Sequence, residues 1–519
     1  MKGKNPVIMM IAMIVALGGL LMGFDASVIS GVIKFIEPEF NLSKLQLGWS
    51  VASLTVTATL AMLVAGPISD IVGRRTVLRV AAILYAISAV ASALAPNYVF
   101  LVIARMLGGF GVGASLILAP MYIAEMAPPA IRGRLVSFNQ LNIVIGISLA
   151  FFTNYLILQL GKSDATWVAN LGIGEHIWRW MLGLEAVPAG LYFIGLFFVP
   201  TSPRWLILKG RYDEATTVLS KYVERDEAEN TVNEIKEHIE LDKQKDKVPI
   251  ADLFKPTMRL VLIIGIVVAV LQQITGINSV FFYAPMIFEQ SGIGTDASFI
   301  QAILVGVINL VFTILAILLI DRIGRKPLLS VGVAGMTISL FLLAYGFNSA
   351  TYTLEASVIS NFVEDADMSA LNKIAGITYE SDVDFNTALN ATLTSDQIVA
   401  HKTEIIKAAI DMNPKFILVG ILAFVASFAI SLGPVMWVLF SELFPNHIRG
   451  IAISFVGFIN SGVSFIVQWV FPWQLDAIGN AGTFFIYGVF ALIGLVFIIK
   501  VIPETKGKSL EELEEQLVK

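Results

Sequence analysis

The sequence predicts an all-α membrane protein with twelve transmembrane helices. Of its 519 residues, 56% are hydrophobic and only 14% are charged, and the mean hydropathy is +0.78. Soluble domains carry about 25% charged residues. The apolar residues also form separate runs that are long enough to cross a bilayer, which takes about 20 residues per helix. These runs are residues 7–33, 48–69, 76–95, 98–125, 135–158, 178–200, 258–288, 297–320, 327–347, 415–441, 450–473 and 481–502.

The composition argues against several other classes of protein. The chain has no cysteine, so it forms no disulfide and no thiolate metal site, and its four histidines lie far apart in the sequence. A net charge of −5 without a basic cluster argues against nucleic acid as a partner. Neither a phosphate-binding loop nor a nucleophile–base pair is recognisable. We therefore predict no metal, no cofactor and no enzymatic activity.

Charged residues in the short connections predict the orientation of the chain. Basic residues follow the even-numbered spans, on the same side as both termini. By the positive-inside rule this side is cytoplasmic, so the N- and C-termini are expected in the cytoplasm. These basic residues are Arg74, Arg75, Arg79, Arg132, Arg134, Arg322, Arg325, Lys326 and Arg449, with Lys2, Lys4, Lys506 and Lys508 near the termini.

The connections divide the chain into predicted parts. Residues 1–200 and 258–502 each contain six spans and are expected to form two six-helix bundles. Residues 201–257 form a cytoplasmic linker, and residues 503–519 form a cytoplasmic tail in which Ser509 starts a capping box. Apolar residues of the linker recur at the spacing of short surface helices, at Ala215, Val218, Leu219 and Tyr222.

A second long connection, residues 348–413, is acidic and lies outside the cell by the alternation of the spans. It is expected to be an extracytoplasmic loop insertion. Long surface insertions cost little free energy, so a neutral insertion is the favoured interpretation. A small outer lid or a partner site is the alternative.

Two loop motifs recur in the two halves. Asp70-Ile71-Val72-Gly73-Arg74-Arg75 after span two returns as Asp321-Arg322-Ile323-Gly324-Arg325-Lys326 after span eight. A glutamate followed seven residues later by Arg-Gly closes span four, at Glu125 and Arg132, and span ten, at Glu442 and Arg449. Matching elements at matching spans indicate an internal repeat, which is typical of carriers that bind a solute near the bilayer midplane.

With Pro200–Trp205 after span six and Pro503–Gly507 after span twelve, these loops make the whole chain resemble the sugar porter family of the major facilitator superfamily. The chain is most similar to the bacterial sugar:proton symporters of the xylose type. The resemblance implies the major facilitator fold and a monomer in the lipid bilayer of the cell inner (plasma) membrane. Two residues depart from the family pattern, Thr201 in place of Glu and Ile71 in place of a basic residue, and both are expected to weaken a cytoplasmic latch.

Three ionisable side chains lie inside predicted spans of the first half, namely Asp25, Arg105 and Glu185. A charge at this depth persists mainly where it faces a partner or an aqueous path. Because arginine keeps its proton, Arg105 must be compensated by a carboxylate, and a transported proton resides on a carboxylate. We predict a proton-coupling triad. The alternative is a fixed Asp25–Arg105 ion pair that holds the helices together.

The resemblance favours the coupling hypothesis. Proton-coupled family members carry Asp after Gly-(Tyr/Phe) in span one, where passive facilitators carry Asn, and this chain reads Gly23-Phe24-Asp25. In the hypothesis, a proton from outside neutralises Asp25 and Arg105 turns toward Glu185. The N-terminal half is then free to close over the substrate.

Span seven carries a polar patch, Gln272-Gln273-Ile274-Thr275-Gly276-Ile277-Asn278, within an apolar run. Amides suit sugar hydroxyls, and interrupted helices mark transporter sites, but amides also join helices. The resemblance implies substrate contact by Gln272, Gln273 and Asn278, and by Asn309 and Trp437. Candidate walls of the pocket are Phe24, Phe281, Phe282 and Tyr283.

Two family sugar positions are altered. Gly146-Ile147 stands where the family has Gln in span five, and Asn460-Ser461 stands where xylose-type members have Gln-Trp in span eleven. Asn460 is still able to bond a hydroxyl, and Ile147 is not. A different monosaccharide, or a polyol such as inositol, is therefore an open alternative.

The repeated loops resemble the cytoplasmic gate of the family, in which charge pairs hold the halves together. Setting the topology by the positive-inside rule is a further role of the same residues. The gate candidates are Asp70, Arg74, Arg75, Glu125, Arg132, Asp321, Arg325, Lys326, Glu442 and Arg449. Four glycines in span four, at 108, 109, 111 and 113, indicate close helix packing and not a dinucleotide site, because no strand precedes them.

The sequence thus predicts a secondary transporter that takes up a monosaccharide, such as a xylose-like pentose or a hexose, with a proton. A proton-independent uniporter and an inositol:proton symporter are the alternatives within this class. A sugar sensor on a transporter scaffold is the alternative from a different class, and the short tail after Pro503 disfavours it.

Overall fold

The structure is a computed structural model of the chain, described here for residues 5–127, 129–221, 225–244, 249–363, 368–445, 447–508 and 510–517. Tyr222 of the linker pattern and Ser509 of the predicted capping box lie outside the described residues, as do Lys2 and Lys4. The N-terminal helices are α1 (Asn5–Glu39), α2 (Lys44–Val72), α3 (Arg74–Ala93), α4 (Tyr98–Met126), α5 (Pro129–Leu160), α6 (Thr166–Asn170), α7 (Ile177–Gly183) and α8 (Ala186–Phe198).

The remaining helices include the linker, the second set of spans and the tail. The linker forms α9 (Pro203–Leu208), α10 (Tyr212–Leu219) and α11 (Arg225–Gln244), followed by 3₁₀ turns at Ile250–Phe254 and Pro256–Met258. The later spans are α12 (Arg259–Ile274), α13 (Ile277–Phe282), α14 (Ala284–Glu289), α15 (Thr295–Ile323), α16 (Arg325–Asn348), α20 (Pro414–Ile430), α21 (Leu432–Leu443) and α22 (Arg449–Val501). The tail forms α23 (Leu510–Leu517).

Eleven helical stretches of the described residues are long and apolar enough to cross a membrane. The predicted count is twelve. The difference lies in α22, whose 53 residues contain both of the last two predicted spans. Gly479 interrupts this helix with φ +73° and ψ 173°, a conformation that favours glycine. The chain therefore has the all-α architecture that its sequence predicts, with the final two spans joined without a loop.

Several spans are broken near their middle. Gly276, at φ +84°, separates α12 from α13, and Tyr283 separates α13 from α14. Ser431 separates α20 from α21. Glu185 lies at the break between α7 and α8. The predicted interruption of span seven is confirmed, because glycine alone adopts the left-handed conformation there without strain.

The described residues group into two compact units. The first contains Met1–Ala26, Ser53–Ala150 and Arg179–Pro249, and the second contains Ser27–Ala52, Phe151–Trp178 and Ile250–Lys519. These units do not follow the bundle boundaries expected at residues 200 and 258, so the two bundles and the linker stay a prediction at domain level. The predicted linker helices do form, and they share a small apolar core that includes Leu206, Ala215 and Val232.

Glycines allow the helices of the first unit to pack closely. A Cβ atom at Gly113 would lie 2.0 Å from the carbonyl oxygen of Ala58, and one at Gly109 would lie 2.0 Å from Thr57 Oγ1. No side chain fits at such distances. The prediction that the glycines of span four serve helix packing is confirmed, since α2 and α4 meet through them.

The segment between α16 and α20 is a folded element and not an open loop. It contains β1 (Thr351–Thr353), β2 (Thr378–Tyr379) and β3 (Ile410–Asp411), with α17 (Ala356–Val363), a 3₁₀ turn (Met368–Lys373), α18 (Asp382–Thr392) and α19 (Ser395–Ala409). The strands pair antiparallel in the order β2-β1-β3, with Tyr352 opposite Tyr379 on one side and Ile410 on the other. Tyr352 stacks on Phe385 in an apolar core of its own. The sequence predicted a loop insertion here and gave no indication of this separate apolar core.

The insertion docks on the break in α22. Asp382 Oδ2 accepts hydrogen bonds from the backbone amide of Asn480 at 2.9 Å and from its side-chain amide at 2.7 Å. A Cβ atom at Gly479 would lie 2.4 Å from Asp382 Oδ1. The carboxylate therefore caps the helical turn that starts the last span.

A small cavity of about 30 Å³ lies beside this contact, with room for one or two water molecules. Lys402 of α19 lines it with Lys44, Asp382 and Asp476. Burial first, and then the charge of Lys44, lower the pKa of Lys402 to about 8 from its ordinary 10.5, against the opposing effect of Glu37, Asp476 and Asp382.

This lowered pKa predicts that docking of the insertion strengthens as pH rises. An exposed lysine holds its proton up to about 10.5, whereas Lys402 loses it near 8, so the undocked segment binds more protons between these values. The apparent melting temperature should therefore gain a rising component from pH 8 to pH 10. Lys402→Met should remove that component, and the matched control Lys373→Met, at an exposed position, should retain it. Identical pH profiles for wild type and Lys402→Met would reject this prediction.

Candidate functional site

The first part of the site is a buried ion pair in the first unit. Asp25 on α1 and Arg105 on α4 are each 1% exposed. Arg105 Nη1 lies 3.6 Å from Asp25 Oδ1, and Arg105 Nη2 donates a 3.5 Å hydrogen bond to the backbone oxygen of Asp25. The predicted pair is therefore formed, although its geometry is looser than that of a bidentate Arg–carboxylate pair.

Both carboxylates of the predicted triad have an oxygen without a protein donor. Asp25 Oδ2 and Glu185 Oε1 are buried and make no hydrogen bond to any described residue. A buried carboxylate oxygen in this state is expensive as an anion. Protonation removes that cost, so the geometry suits a group that takes up and releases a proton. Glu185, 2% exposed, lies at the helix break between α7 and α8.

A glycine makes room for Asp25 against α4. A Cβ atom at Gly108, one turn after Arg105, would lie 2.7 Å from Asp25 Oδ2 and 2.6 Å from Ser88 Oγ. The carboxylate therefore lies on the surface of α4 between Arg105 and Gly108. The sequence places both residues on one face of the helix, because they are three positions apart.

The backbones of α1 and α5 are in contact beside Ile147, which stands where the family has an amide in span five. A Cβ atom at Gly146 would lie 2.1 Å from the carbonyl oxygen of Leu20, and one at Gly23 would lie 2.0 Å from that of Ile143. The helices α1 and α5 therefore touch through two glycines just below Asp25. Phe24, between them, is 1% exposed, which fits a packing role within its unit.

The second part of the site is an amide network in the second unit. Gln273 Nε2 donates to Gln272 Oε1 at 3.1 Å and to Asn460 Oδ1 at 3.3 Å. Asn460 Nδ2 in turn donates to Gln272 Oε1 at 2.8 Å, and Asn278 Nδ2 donates to Gln273 Oε1 at 2.8 Å. Four of the predicted sugar contacts therefore form one connected cluster across α12, α13 and α22.

Backbone carbonyl oxygens of neighbouring helices anchor the cluster. Gln272 Nε2 donates to the oxygen of Leu432, which follows the break at Ser431, at 3.1 Å. Asn460 Nδ2 donates to the oxygen of Ala269 at 2.8 Å. The amides are thereby held in fixed orientations, as a selective polar site requires.

Two members of this network were not predicted from the sequence. Asn278 Nδ2 donates to Ser464 Oγ at 2.8 Å, and Gln468 Nε2 donates to the same oxygen at 2.6 Å. Asn460, Ser464 and Gln468 are spaced four residues apart, so they follow one face of α22. This polar stripe in an apolar span is visible in the sequence and is the signal that would have indicated Ser464 and Gln468.

The remaining predicted contacts lie apart from the network. Asn309 on α15 is 4% exposed, and Trp437 on α21 is 44% exposed and packs edge-on against Phe440. Within the described residues, no hydrogen bond joins either one to the network. Phe281, Phe282 and Tyr283 are buried, and Tyr283 Oη donates to the backbone oxygen of Gln468 at 3.0 Å.

The repeated loops build the same charge cluster in both units. In the first unit, Arg74 Nε lies 3.2 Å from Glu125 and its Nη1 lies 2.6 Å from Asp70. In the second, Arg325 Nη2 lies 2.7 Å from Glu442 and 3.1 Å from Asp321. These pairs join residues of one unit, so each motif first orders its own helix ends.

The arginine of each Glu-x6-Arg-Gly element caps the preceding helix. Arg132 Nε donates to the oxygen of Ala127, the C-cap of α4, at 3.4 Å, and Arg449 Nε donates to the oxygen of Phe444, the C-cap of α21, at 3.0 Å. A cation at this end also complements the helix dipole. Arg75 donates instead to the oxygen of Val199, at 3.0 Å.

The Pro-Glu-Thr element of the tail caps α16. Glu504 accepts 3.0 Å hydrogen bonds from the backbone amides of Arg325 and Lys326, and Thr505 Oγ1 donates to Glu442 at 2.6 Å. Burial opposes the charge of Glu504, yet backbone amides, that of Lys506 first and then those of Arg325 and Lys326, hold its pKa below the ordinary 4.5. In the first unit Ser202 also donates to Glu125, but Thr201 replaces the capping glutamate.

Because Glu504 caps its helix and Thr201 does not, substitutions at the two positions should have opposite effects on stability. Glu504→Gln should lower the free energy of unfolding by about 0.5–2 kcal/mol, the usual value of a helix cap, whereas Thr201→Glu should stabilise α3. The Glu504 contribution is present at neutral pH and fades as pH falls through its lowered pKa. Thermal melts of both variants, with the exposed-site control Glu240→Gln, measure the effects. A melting temperature of Glu504→Gln equal to that of the wild type would contradict this reading of the motif.

The fold and the site together define a class of protein. Helices broken at mid-span, an ordered amide cluster beside the breaks, and a buried carboxylate–arginine pair are features of secondary transporters. Of the residues described, no cluster of three His, Asp or Glu side chains is placed to hold a metal.

Comparison with known proteins identifies the family. Residues 11–363 and 391–517 match the family "Sugar (and other) transporter". The arabinose-proton symporter of Bacillus subtilis is 34% identical, over 99% of this chain and 95% of its own length. The D-xylose-proton symporter of Escherichia coli is 35% identical, over 97% and 94%. The chain belongs to this sugar porter family of the major facilitator superfamily.

Solved structures agree with this assignment. The inward open conformation of the xylose transporter XylE from E. coli has a TM-score of 0.74 at 33% identity and covers 98% of this chain and all of that one. The same symporter bound to 6-bromo-6-deoxy-D-glucose has a TM-score of 0.68 at 34% identity and covers 99% of this chain. The predicted major facilitator fold is confirmed.

Proposed function

We propose that this protein is a proton-coupled symporter that carries a monosaccharide into the cell across the bacterial inner membrane. The observation that carries the proposal is the buried Asp25–Arg105 pair, in which one carboxylate oxygen has no donor among the described residues. Relatives that span nearly the whole chain are arabinose-proton and D-xylose-proton symporters. Both features support an ion-coupled carrier over a uniporter or a sensor.

The buried charges supply a mechanism for coupling. With Asp25 ionised, it compensates Arg105 and holds α1 to α4. When a proton neutralises Asp25, the charge of Arg105 must be compensated elsewhere, and Glu185 is the remaining buried carboxylate of the triad. Protonation therefore loosens α1 from α4, and the resulting movement of helices is the step that the proton gradient drives.

The amide network supplies the sugar site. A sugar hydroxyl both donates and accepts, and the network has capacity of both kinds left. Asn278 uses both amide protons within the network, which leaves its Oδ1 as an acceptor. Ser464 Oγ accepts twice, and its own proton has no acceptor in the described part of the chain. A vicinal pair of hydroxyls fits this donor and acceptor side by side.

The substrate class is a neutral pentose, with a hexose or a polyol as competing ligands. The family amide in span five and the family aromatic in span eleven are absent, at Ile147 and Ser461, while Ser464 and Gln468 supply polar groups. A site with fewer contacts to one end of the ring favours a smaller sugar. Asn309 and Trp437 are proposed as contacts that close on the bound sugar, and the ten charged loop residues as a cytoplasmic gate.

Transport by purified protein tests the proposal. Proteoliposomes with an imposed inward proton gradient should accumulate D-xylose or L-arabinose, and a protonophore should abolish the accumulation. D-glucose and myo-inositol in parallel decide the substrate class. Equal uptake with and without the protonophore would identify a uniporter, and failure to move any of the four sugars would overturn the proposal.

A further inference from the structure

One contact between the folded insertion and the transmembrane helices is built around the ammonium group of Lys34. Lys34 Nζ on α1 donates to Glu289 Oε1 at 2.7 Å, to Thr403 Oγ1 at 3.4 Å, and to Thr295 Oγ1. Its three protons are therefore used by α14, α19 and α15, one each. All four residues belong to the second unit.

Thr403 also binds the other member of the ion pair. Its Oγ1 lies 3.4 Å from Glu289 Oε2, while Glu289 Oε1 accepts from Lys34. The side chains of Lys34 and Glu289 are 32% and 12% exposed, so the pair is partly shielded from water. A hydroxyl that contacts both charges fixes their separation, which an exposed pair alone does poorly.

The insertion also packs closely against the turn between α14 and α15. A Cβ atom at Gly292, which has φ +85°, would lie 2.4 Å from Ile410 Cγ2 of β3. On its other side, the insertion is tied to the break in α22 through Asp382 and Asn480. The insertion thus contacts both the start of the last span and the turn between α14 and α15.

The ion pair joins α1, which carries the proposed proton-binding residue, to α14, which belongs to the span that carries the proposed sugar contacts. Lys34 lies nine residues after Asp25 on α1, about 14 Å along the helix axis. Glu289 ends α14, which continues the broken span that carries Gln273 and Asn278. A restraint at this point therefore acts on both the proton-binding helix and the sugar-binding span.

We propose that the described part of the insertion, residues 349–363 and 368–413, forms an outer clasp, in which Thr403 holds the Lys34–Glu289 pair closed and so limits how often the outer ends of α1 and α14 separate. The clasp rests on the proposed function for its purpose, since separation at this end admits solute from outside. The contacts that form the clasp are the same whichever solute is carried. The insertion therefore regulates the opening rate and is more than a neutral surface addition.

A cysteine reporter tests the clasp without any transport measurement. The chain has no cysteine, so Ser30→Cys, a 2% exposed position one turn before Lys34, is the sole labelling site. Labelling in proteoliposomes by a membrane-impermeant maleimide reports opening of the outer end. Thr403→Val should raise the labelling rate by about twofold to fivefold, the effect of losing its two long hydrogen bonds to Lys34 and Glu289. The control Thr387→Val, on an exposed face of α18, should leave it unchanged.

A double variant separates the clasp from a general loss of structure. If Thr403 acts through the ion pair, Lys34→Met should raise the labelling rate and Thr403→Val should add nothing in that background. Additive effects, or an unchanged rate in Thr403→Val, would overturn the clasp. Loss of sugar-coupled proton movement with an intact clasp response would instead overturn the proposed function, so the two failures are distinguishable.

Discussion

Replacing Asp25 with asparagine is expected to abolish sugar accumulation driven by a proton gradient while sugar exchange survives. Asparagine keeps the size of the side chain but holds no exchangeable charge, so Arg105, which lies 3.6 Å from Asp25, is compensated by Glu185 throughout the cycle. The protein is then held in the arrangement of protonated Asp25. Accumulation should fall to the level set by the concentration of sugar alone, a loss of up to about tenfold for a gradient of one pH unit when one proton enters with each sugar.

The measurement compares gradient-driven uptake with counterflow in the same proteoliposomes. Asp164→Asn is the matched control, since it removes an exposed carboxylate and should affect neither activity. Full gradient-driven accumulation by Asp25→Asn would show that Asp25 and Arg105 are a fixed structural pair. Loss of both uptake and counterflow, with a normal melting temperature, would show that the charge is needed for movement itself.

Replacing Gln273 with methionine is expected to weaken sugar binding by about 100-fold, close to 2.7 kcal/mol. The variant keeps the length of the side chain and removes two donors and one acceptor. Asn460 Oδ1 and Asn278 Nδ2 each lose a partner, and a buried polar group left unpaired costs about 1–3 kcal/mol. The sugar must then bind to a network that is no longer ordered.

Calorimetric titration of the purified variant with the transported sugar gives the dissociation constant directly. Gln301→Met on α15 is the matched control, because Gln301 makes no hydrogen bond to the network within the described residues and should bind sugar as the wild type does. A wild-type dissociation constant for Gln273→Met would mean that the amides join helices and do not contact substrate. That outcome would leave the coupling triad untouched.

Much of the fold was predictable because a lipid bilayer limits the structures that a chain can form within it. Apolar runs bounded by charge gave the spans, since no other structure satisfies the backbone in lipid. Gly276 and the adjacent amides predicted the break in span seven. The last two spans were separated correctly in sequence, but no local pattern indicates that Asp382, about a hundred residues away, packs against a loop-free junction at Gly479.

The sequence was sufficient to predict which residues belong to the candidate site, but not which of them are hydrogen-bonded to one another. Asp25, Arg105 and the span-seven amides stand out because polar groups are rare in lipid. The pairing of Ser464 with Asn278 depends on how α13 crosses α22, which a single sequence does not encode in any local period. The capping role of Glu504 depends likewise on contact between the tail and α16.

The fold of the insertion, in contrast to the spans, was not predictable from the sequence. Its acidic surface residues are spread along the segment, and its apolar core is assembled from short elements such as Tyr352 in β1 and Phe385 in α18. No long period marks such a core, so sequence alone suggested a loop. The position of Thr403 against Lys34 follows only from the folded arrangement.

Sugar-induced proton movement tests the central claim most directly. In weakly buffered proteoliposomes without an imposed gradient, adding the transported sugar should make the external medium more alkaline as protons enter with it, and Asp25→Asn should give sugar entry without a pH change. Sugar entry into wild-type vesicles with no change in external pH would contradict the assignment of Asp25 as the proton carrier and of the protein as a symporter.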